Sequence, residues 1–132
     1  MKESSGIIVQ FEDRVLLCQR SDSGKWAIPM GGVEENEDPK DAAYREFYEE
    51  TNLEIVEPIK YLGKIKRYKS GKLKNVLNIY LFEVNDEIEP NLSHAEDGFE
   101  HTECGYYTKK EMLKLNMDKS LKDFICKIIF DF

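Results

Sequence analysis

The sequence predicts an α+β domain built on a mixed β-sheet, and three observations carry that prediction. Short β-rich runs surround one long helical stretch, strands and helices do not alternate regularly, and the chain closes on an amphipathic helix. At 132 residues, 41% hydrophobic and 34% charged, the chain suits a single domain over residues 1–132. A chain of this size buries about two thirds of its unfolded surface, so it needs neither disulfides nor a structural metal to fold.

Ile7 to Phe11 and Val15 to Gln19 are β-rich runs joined by Glu12-Asp13-Arg14, which predicts a hairpin. A polar loop from Arg20 to Lys25 leads into an extended Trp26-Ala27-Ile28-Pro29, where Pro29 biases Ile28 away from helix. Asp38 suits a helix N-cap, Pro39 the first helical position, and Asp41 adds negative charge to the first turn. The helix is predicted to run to about Thr51, with Asn52 ending it in the left-handed conformation. Leu53 to Tyr68 and Leu73 to Val84 read as strands around a Ser70-Gly71-Lys72 turn. The acidic stretch from Asn85 to Gly98 reads as a loop, and His101 to Tyr107 as a strand. A short helix follows over Lys109 to Leu115. Asp118 then caps the last helix, which gathers Leu121, Phe124, Ile125, Ile128, Ile129 and Phe132 on one face. That face packs on its own domain or pairs two chains, so a monomer and a homodimer both stay open.

Lys and Arg number 19 against 26 Asp and Glu, a net charge of −7. This balance argues against coating duplex DNA, which requires an excess of cations facing phosphates. A polyphosphate ligand stays open if bridging metal ions reverse the local sign. Cys18, Cys104 and Cys126 are odd in number, and no two have CxxC spacing; with only two His, a zinc site has few ligands. Reduced thiols and a cytoplasmic location are the expectation. No apolar run reaches the roughly 18 to 20 residues that span a bilayer, so no membrane partner is expected.

The helix after Pro39 carries the chemistry. Glu46, Glu49 and Glu50 stand at i, i+3 and i+4, so their carboxylates leave one face within one turn. Alone, such a triad reads as a solvated acidic face. A divalent cation between the three would relieve their repulsion with the hard oxygen ligands that Mg²⁺ prefers. Arg45 can reach Glu49 one turn on, or back toward the loop that holds Glu37.

Gly31, Glu37, Arg45-Glu46-Phe47, Glu49-Glu50 and Asn52-Leu53, at their observed spacing, resemble the Nudix box. The match covers about 23 residues and departs from the pattern at its last Gly, which is Asn52 here; Trp26-x-x-Pro29-Met30-Gly31-Gly32 resembles the strand that approaches the box. Asn52, and Asn36 at another position where the family often has Gly, are mild departures, because Asn tolerates the left-handed conformation.

The resemblance implies an α/β/α sandwich with a central mixed sheet and the catalytic helix following the box loop. It implies hydrolysis of the diphosphate bond in a nucleoside diphosphate linked to another group, with Mg²⁺ as cofactor and Mn²⁺ as a substitute. By the same resemblance Glu46, Glu49 and Glu50 are metal ligands, joined by the backbone carbonyl of Met30, and Glu46 is a candidate for activating water. Glu37 and Arg45 would lock loop to helix. Family members often add an acid from a later loop: Glu100 is the first choice here, as metal ligand or competing general base, and Glu103 the second. Arg20 would grip a phosphate, with Glu103 beside it at the substrate. Either could also be an ordinary surface residue.

The substrate is open between a small nucleotide (triphosphate, dinucleoside polyphosphate or nucleotide sugar) and an RNA 5′ end. The Pro29-Met30-Gly31-Gly32 register resembles members acting on dinucleoside polyphosphates or RNA 5′ ends. Lys60, Lys64, Lys66, Arg67, Lys69, Lys72 and Lys74 form a basic run that either steers such an anion or blunts strand edges. Tyr61, Tyr68 and Tyr80 either stack a base or pack the sheet. Two other classes stay open: a catalytically silent Nudix-fold nucleotide sensor, and an acidic interaction domain.

Overall fold

The computed structural model describes residues 2–91 and 101–131. Seven strands form one mixed sheet: β1 (Lys2–Phe11), β2 (Arg14–Arg20), β3 (Trp26–Ala27), β4 (Met30–Gly32), β5 (Lys60–Lys69), β6 (Lys72–Val84) and β7 (His101–Thr108). Three helices join them, α1 (Pro39–Thr51), α2 (Lys109–Met112) and α3 (Lys119–Ile128). The order β3-β2-β1-β6-β5 is antiparallel except for the long parallel pairing of β1 with β6. β1 is shared along its length: Ser4 to Gly6 pair with β4, whereas Gln10 and Phe11 pair with β2. β7 covers the length of β2.

Strand alternation sorts the core into two layers. Ile7, Val9, Leu16 and Cys18 face Ala43 and Phe47 of α1. Ile8, Val15, Leu17, Leu77 and Ile79 face the other way, packing with Leu121 and Ile125 of α3. The domain is thus an α/β/α sandwich, as expected, and α3 packs on its own sheet.

The structure bears out the predicted caps. Asp38 accepts from the Lys40 N–H at 2.8 Å and Pro39 opens α1; Asn52 ends it at φ 59°, its N–H donating to the Tyr48 carbonyl at 2.8 Å. Asp118 caps α3 through the Leu121 N–H. Four expectations need correction. The strand placed from Leu53 begins only at Lys60, because Asn52 turns the chain and Pro58 has no N–H to donate to a ladder; Ile55 and Ile59 plug the core instead. The approach strand expected from Trp26 to Gly32 divides into two short strands, Trp26–Ala27 and Met30–Gly32. α2 stops at Met112, and the chain continues to Leu115 in tighter turns whose carbonyls accept from Lys122 Nζ. On α3, Ile128 is 43% exposed, and Phe130 beyond the helix is buried in its stead.

The three thiols expected to be reduced are also not alike. Register sets Cys18 opposite Cys104 across β2 and β7, and the two form a disulfide with Cα atoms 4.0 Å apart; Cys126 is free. A sequence separation of 86 hides that pairing from any local spacing rule. Among the described residues, no helix is long and apolar enough to cross a membrane.

Candidate active site

Helix α1 lies on the sheet with Ala42, Ala43, Phe47 and Thr51 buried beneath it. That seating fixes which side chains meet the strand–loop segment from Met30 to Glu37. Arg45 is the hub. Its Nε and Nη2 donate to the two oxygens of Glu37, each at 2.9 Å, a bidentate fork that closes the loop onto the helix. Nη2 also donates to the Gly32 carbonyl at 2.8 Å. Nη1 donates to Glu46 at 2.9 Å and to both oxygens of Glu49 at 3.3 and 3.2 Å. Glu34 stands at the edge, 3.8 Å from Nη1.

Glu50 turns the other way. It is 5% exposed, and its Oε2 accepts from the Met30 N–H at 2.7 Å. Gly31 follows directly, and a Cβ there would fall within the Glu46 carboxylate. The absent side chain makes the space in which that carboxylate lies.

The electrostatics follow from these contacts. Arg45, then the Glu34 N–H, lower the Glu37 carboxyl from its ordinary 4.5 to about 2. The Glu37 fork, with help from Glu46 and against partial burial, holds Arg45 firmly protonated. A lowered carboxyl pKa stabilises the fold fully above the ordinary value and loses that contribution as pH falls toward the folded value. The loop–helix clamp should therefore weaken between pH about 4.5 and about 2. Urea midpoints of wild type and Glu37→Gln test this: they should differ at pH 7 and converge as the acid limit is approached.

All three helix carboxylates share one turn, as their spacing requires, but they do not share one focus. Among the described residues no cluster of three converges to hold a metal as it stands: Glu46 and Glu49 meet on Arg45, and Glu50 meets Met30. The donor set still suits a hard divalent cation. It is all carboxylate oxygen, and Glu49, whose side chain is 48% exposed and held by the longest bonds of the hub, can turn from Arg45 toward an ion beside Glu46.

Arg20 and Glu103 belong to β2 and β7 rather than to the helix and loop that form the hub. Glu100 lies outside the described residues. The chain before it is held at the end of α1 by the Asn91 N–H on the Thr51 carbonyl at 2.8 Å, and the chain after it begins β7 with His101 opposite Arg20. Glu103 is exposed on β7 opposite Gln19, and Arg20 forks onto Asp22 of its own loop at 3.1 and 3.2 Å. Sequence reasoning missed three contacts: the Met30 N–H on Glu50, the Gly32 carbonyl on Arg45, and the fit of Glu46 against Gly31. The adjoining glycines were the available signal, since a side chain approaching backbone closely needs a missing Cβ.

The NUDIX domain family model matches residues 2–128. The RNA pyrophosphohydrolase of Bartonella henselae is 46% identical over 50 residues, covering 36% of this chain and 29% of that protein. That of Pelagibacter ubique is 39% identical over 82 residues, covering 60% and 51%. The chain thus matches about half the length of these relatives or less. A MutT NUDIX hydrolase from Burkholderia pseudomallei superposes with a TM-score of 0.80 at 20% identity over 97% of each chain, a likeness of fold. With a family match along nearly its whole length, and the box residues seated on one helix and its preceding loop, this chain belongs to the Nudix family.

Proposed function

We propose that the protein is a divalent-cation-dependent pyrophosphohydrolase that cleaves the diphosphate bond of a nucleoside diphosphate derivative, with a phosphorylated RNA 5′ end as its leading substrate. The observation that carries this reading is the helix–loop lock, in which one guanidinium ties Glu37, Glu46 and Glu49 together beside a glycine. Three carboxylates crowded on one turn favour cation-dependent chemistry over nucleotide binding alone. The RNA end leads because the similar proteins of Bartonella henselae and Pelagibacter ubique bear the name RNA pyrophosphohydrolase.

Glu46, Glu49 and Glu50 would hold Mg²⁺, or Mn²⁺ in its place, with the Met30 carbonyl as a further ligand. When bound, the ion supplies charge neutralisation of the diphosphate and a more acidic water. Glu46 would take the proton of the attacking water, and Glu100 competes for that role. Arg45 and Glu37 position the helix against the loop without touching substrate.

The test is release of phosphate or pyrophosphate from nucleoside triphosphates, dinucleoside polyphosphates, nucleotide sugars and 5′-triphosphorylated RNA, with Mg²⁺, Mn²⁺ or chelator. Cation-dependent release, fastest from RNA, is expected. Nucleotide binding with no release under either cation would instead establish a silent sensor.

A further inference from the structure

The β5–β6 hairpin carries charge that the carboxylate site leaves unused. Seven of the chain's 19 Lys and Arg fall between residues 60 and 74, a stretch with no Asp or Glu, in a protein of net charge −7. At the hairpin tip, Lys69, Lys72 and Lys74 join Lys2 of β1 around a concavity of about 800 Å³, with Ser70 and Leu73 completing its wall. All four lysines are exposed, and none forms an ion pair among the described residues.

The concavity is fixed relative to the carboxylates. Arg67 Nε donates to Asn75 Oδ1 at 2.8 Å, and Asn75 Nδ2 donates to the Lys2 carbonyl at 3.3 Å and the Ser4 hydroxyl at 3.0 Å. That network straps the hairpin to β1, whose next residues, Ser4, Ser5 and Gly6, pair with Gly32, Gly31 and Met30. Lys2 is three residues from Ser5, or about 10 Å along the strand, and Ser5 is the partner of the glycine against Glu46. Between the two regions runs a second concavity lined by Lys2, Glu3, Glu34 and Glu35 among others. Lys2 lines both concavities, and the second is also lined by Gly32 of the glycine segment.

We infer that the concavity of Lys2, Lys69, Lys72 and Lys74 is a second anion site, which takes the phosphodiester backbone of a single-stranded RNA whose 5′ end lies at the helix carboxylates. The placement of the 5′ end rests on the pyrophosphohydrolase reading. Lysine ammonium groups neutralise phosphates one by one without reading bases. Tyr68, 62% exposed on the same hairpin, offers a ring face on which a base can stack. A nucleoside triphosphate has no phosphodiester backbone beyond the phosphate chain that would lie at the carboxylates.

The experiment measures binding of a labelled 5′-triphosphorylated RNA of about ten nucleotides to the full chain, in chelator, across a salt series. Wild type should bind, and Lys72→Glu/Lys74→Glu should bind at least about tenfold more weakly. Each lysine–phosphate contact to a single strand contributes about 0.7 to the salt slope, so the double variant should lose about 1.4. Nucleoside triphosphate turnover should be retained. Lys109→Glu/Lys110→Glu applies the same charge change on α2 and should leave the slope unaltered, which separates a local site from net charge. An unaltered affinity and slope in the hairpin variant overturns the inference. So does wild type that ignores RNA, including one that binds anionic phospholipid vesicles in its place. If no substrate is hydrolysed while RNA binding still depends on these lysines, the pyrophosphohydrolase reading fails and the anion site stands.

Discussion

Glu49→Gln is expected to lower kcat by at least about 10²-fold, the scale of losing one key electrostatic group. The amide preserves the shape of the side chain and an oxygen for Arg45, so the change is one of charge. Glu49 is also the helix carboxylate freest to leave its protein partner, with its side chain 48% exposed against 15% for Glu46. A second readout does not depend on turnover. A cation that binds the folded state raises the melting temperature by mass action, and that Mg²⁺-dependent rise should shrink in the variant. Without metal, the melting temperature should hold or increase, because one member of a like-charged triad is gone. Unchanged turnover would remove Glu49 from the metal set. Glu50→Gln should match the loss in kcat and cost about 1 kcal/mol besides, since its buried carboxylate accepts a charge-assisted bond from the Met30 N–H.

Gly31→Ala is expected to separate activity from stability. The added Cβ would occupy the place of the Glu46 carboxylate. That carboxylate ends a flexible side chain and can swing aside, so the fold should lose no more than about 1 kcal/mol. The displaced group, however, leaves Arg45 and the position from which it would act. Misplacement of about 1 Å costs on the order of 10²-fold in rate, and kcat should fall by that much with little change in urea midpoint. Gly32→Ala is the matched control. Nothing lies within 4 Å of a Cβ at Gly32, so stability should stay within about 0.5 kcal/mol. Equal kcat losses in the two variants would dissociate the Glu46–Gly31 contact from catalysis.

The features read correctly from sequence are local ones: helix caps, and hairpins whose strands adjoin a short turn. Asp38, Pro39 and Asn52 set the bounds of α1 because caps and left-handed ends are local events. The strand beginning at Leu53 was misplaced for the complementary reason: Ile55 and Ile59 have the composition of a strand, yet their burial comes from plugging the core under α1. Composition cannot distinguish a residue buried in a sheet from one buried beside it. The shared β1, with β4 on one half and β2 on the other, was equally hidden, since it depends on pairings between distant segments.

By itself the sequence determined that Glu46, Glu49 and Glu50 leave one helical turn together, because an α-helix repeats every 3.6 residues wherever it sits. Arg45 reaches Glu49 one turn on within the same helix, but tertiary structure alone decided the other two contacts: Glu46 against Gly31, and Glu50 to an N–H twenty residues away. It likewise decided that Cys18 meets Cys104 and that Lys2 joins the hairpin lysines. Those meetings depend on strand register and on how a helix seats against a loop, and both are fixed by burial summed over the whole core rather than by any residue's neighbours along the chain.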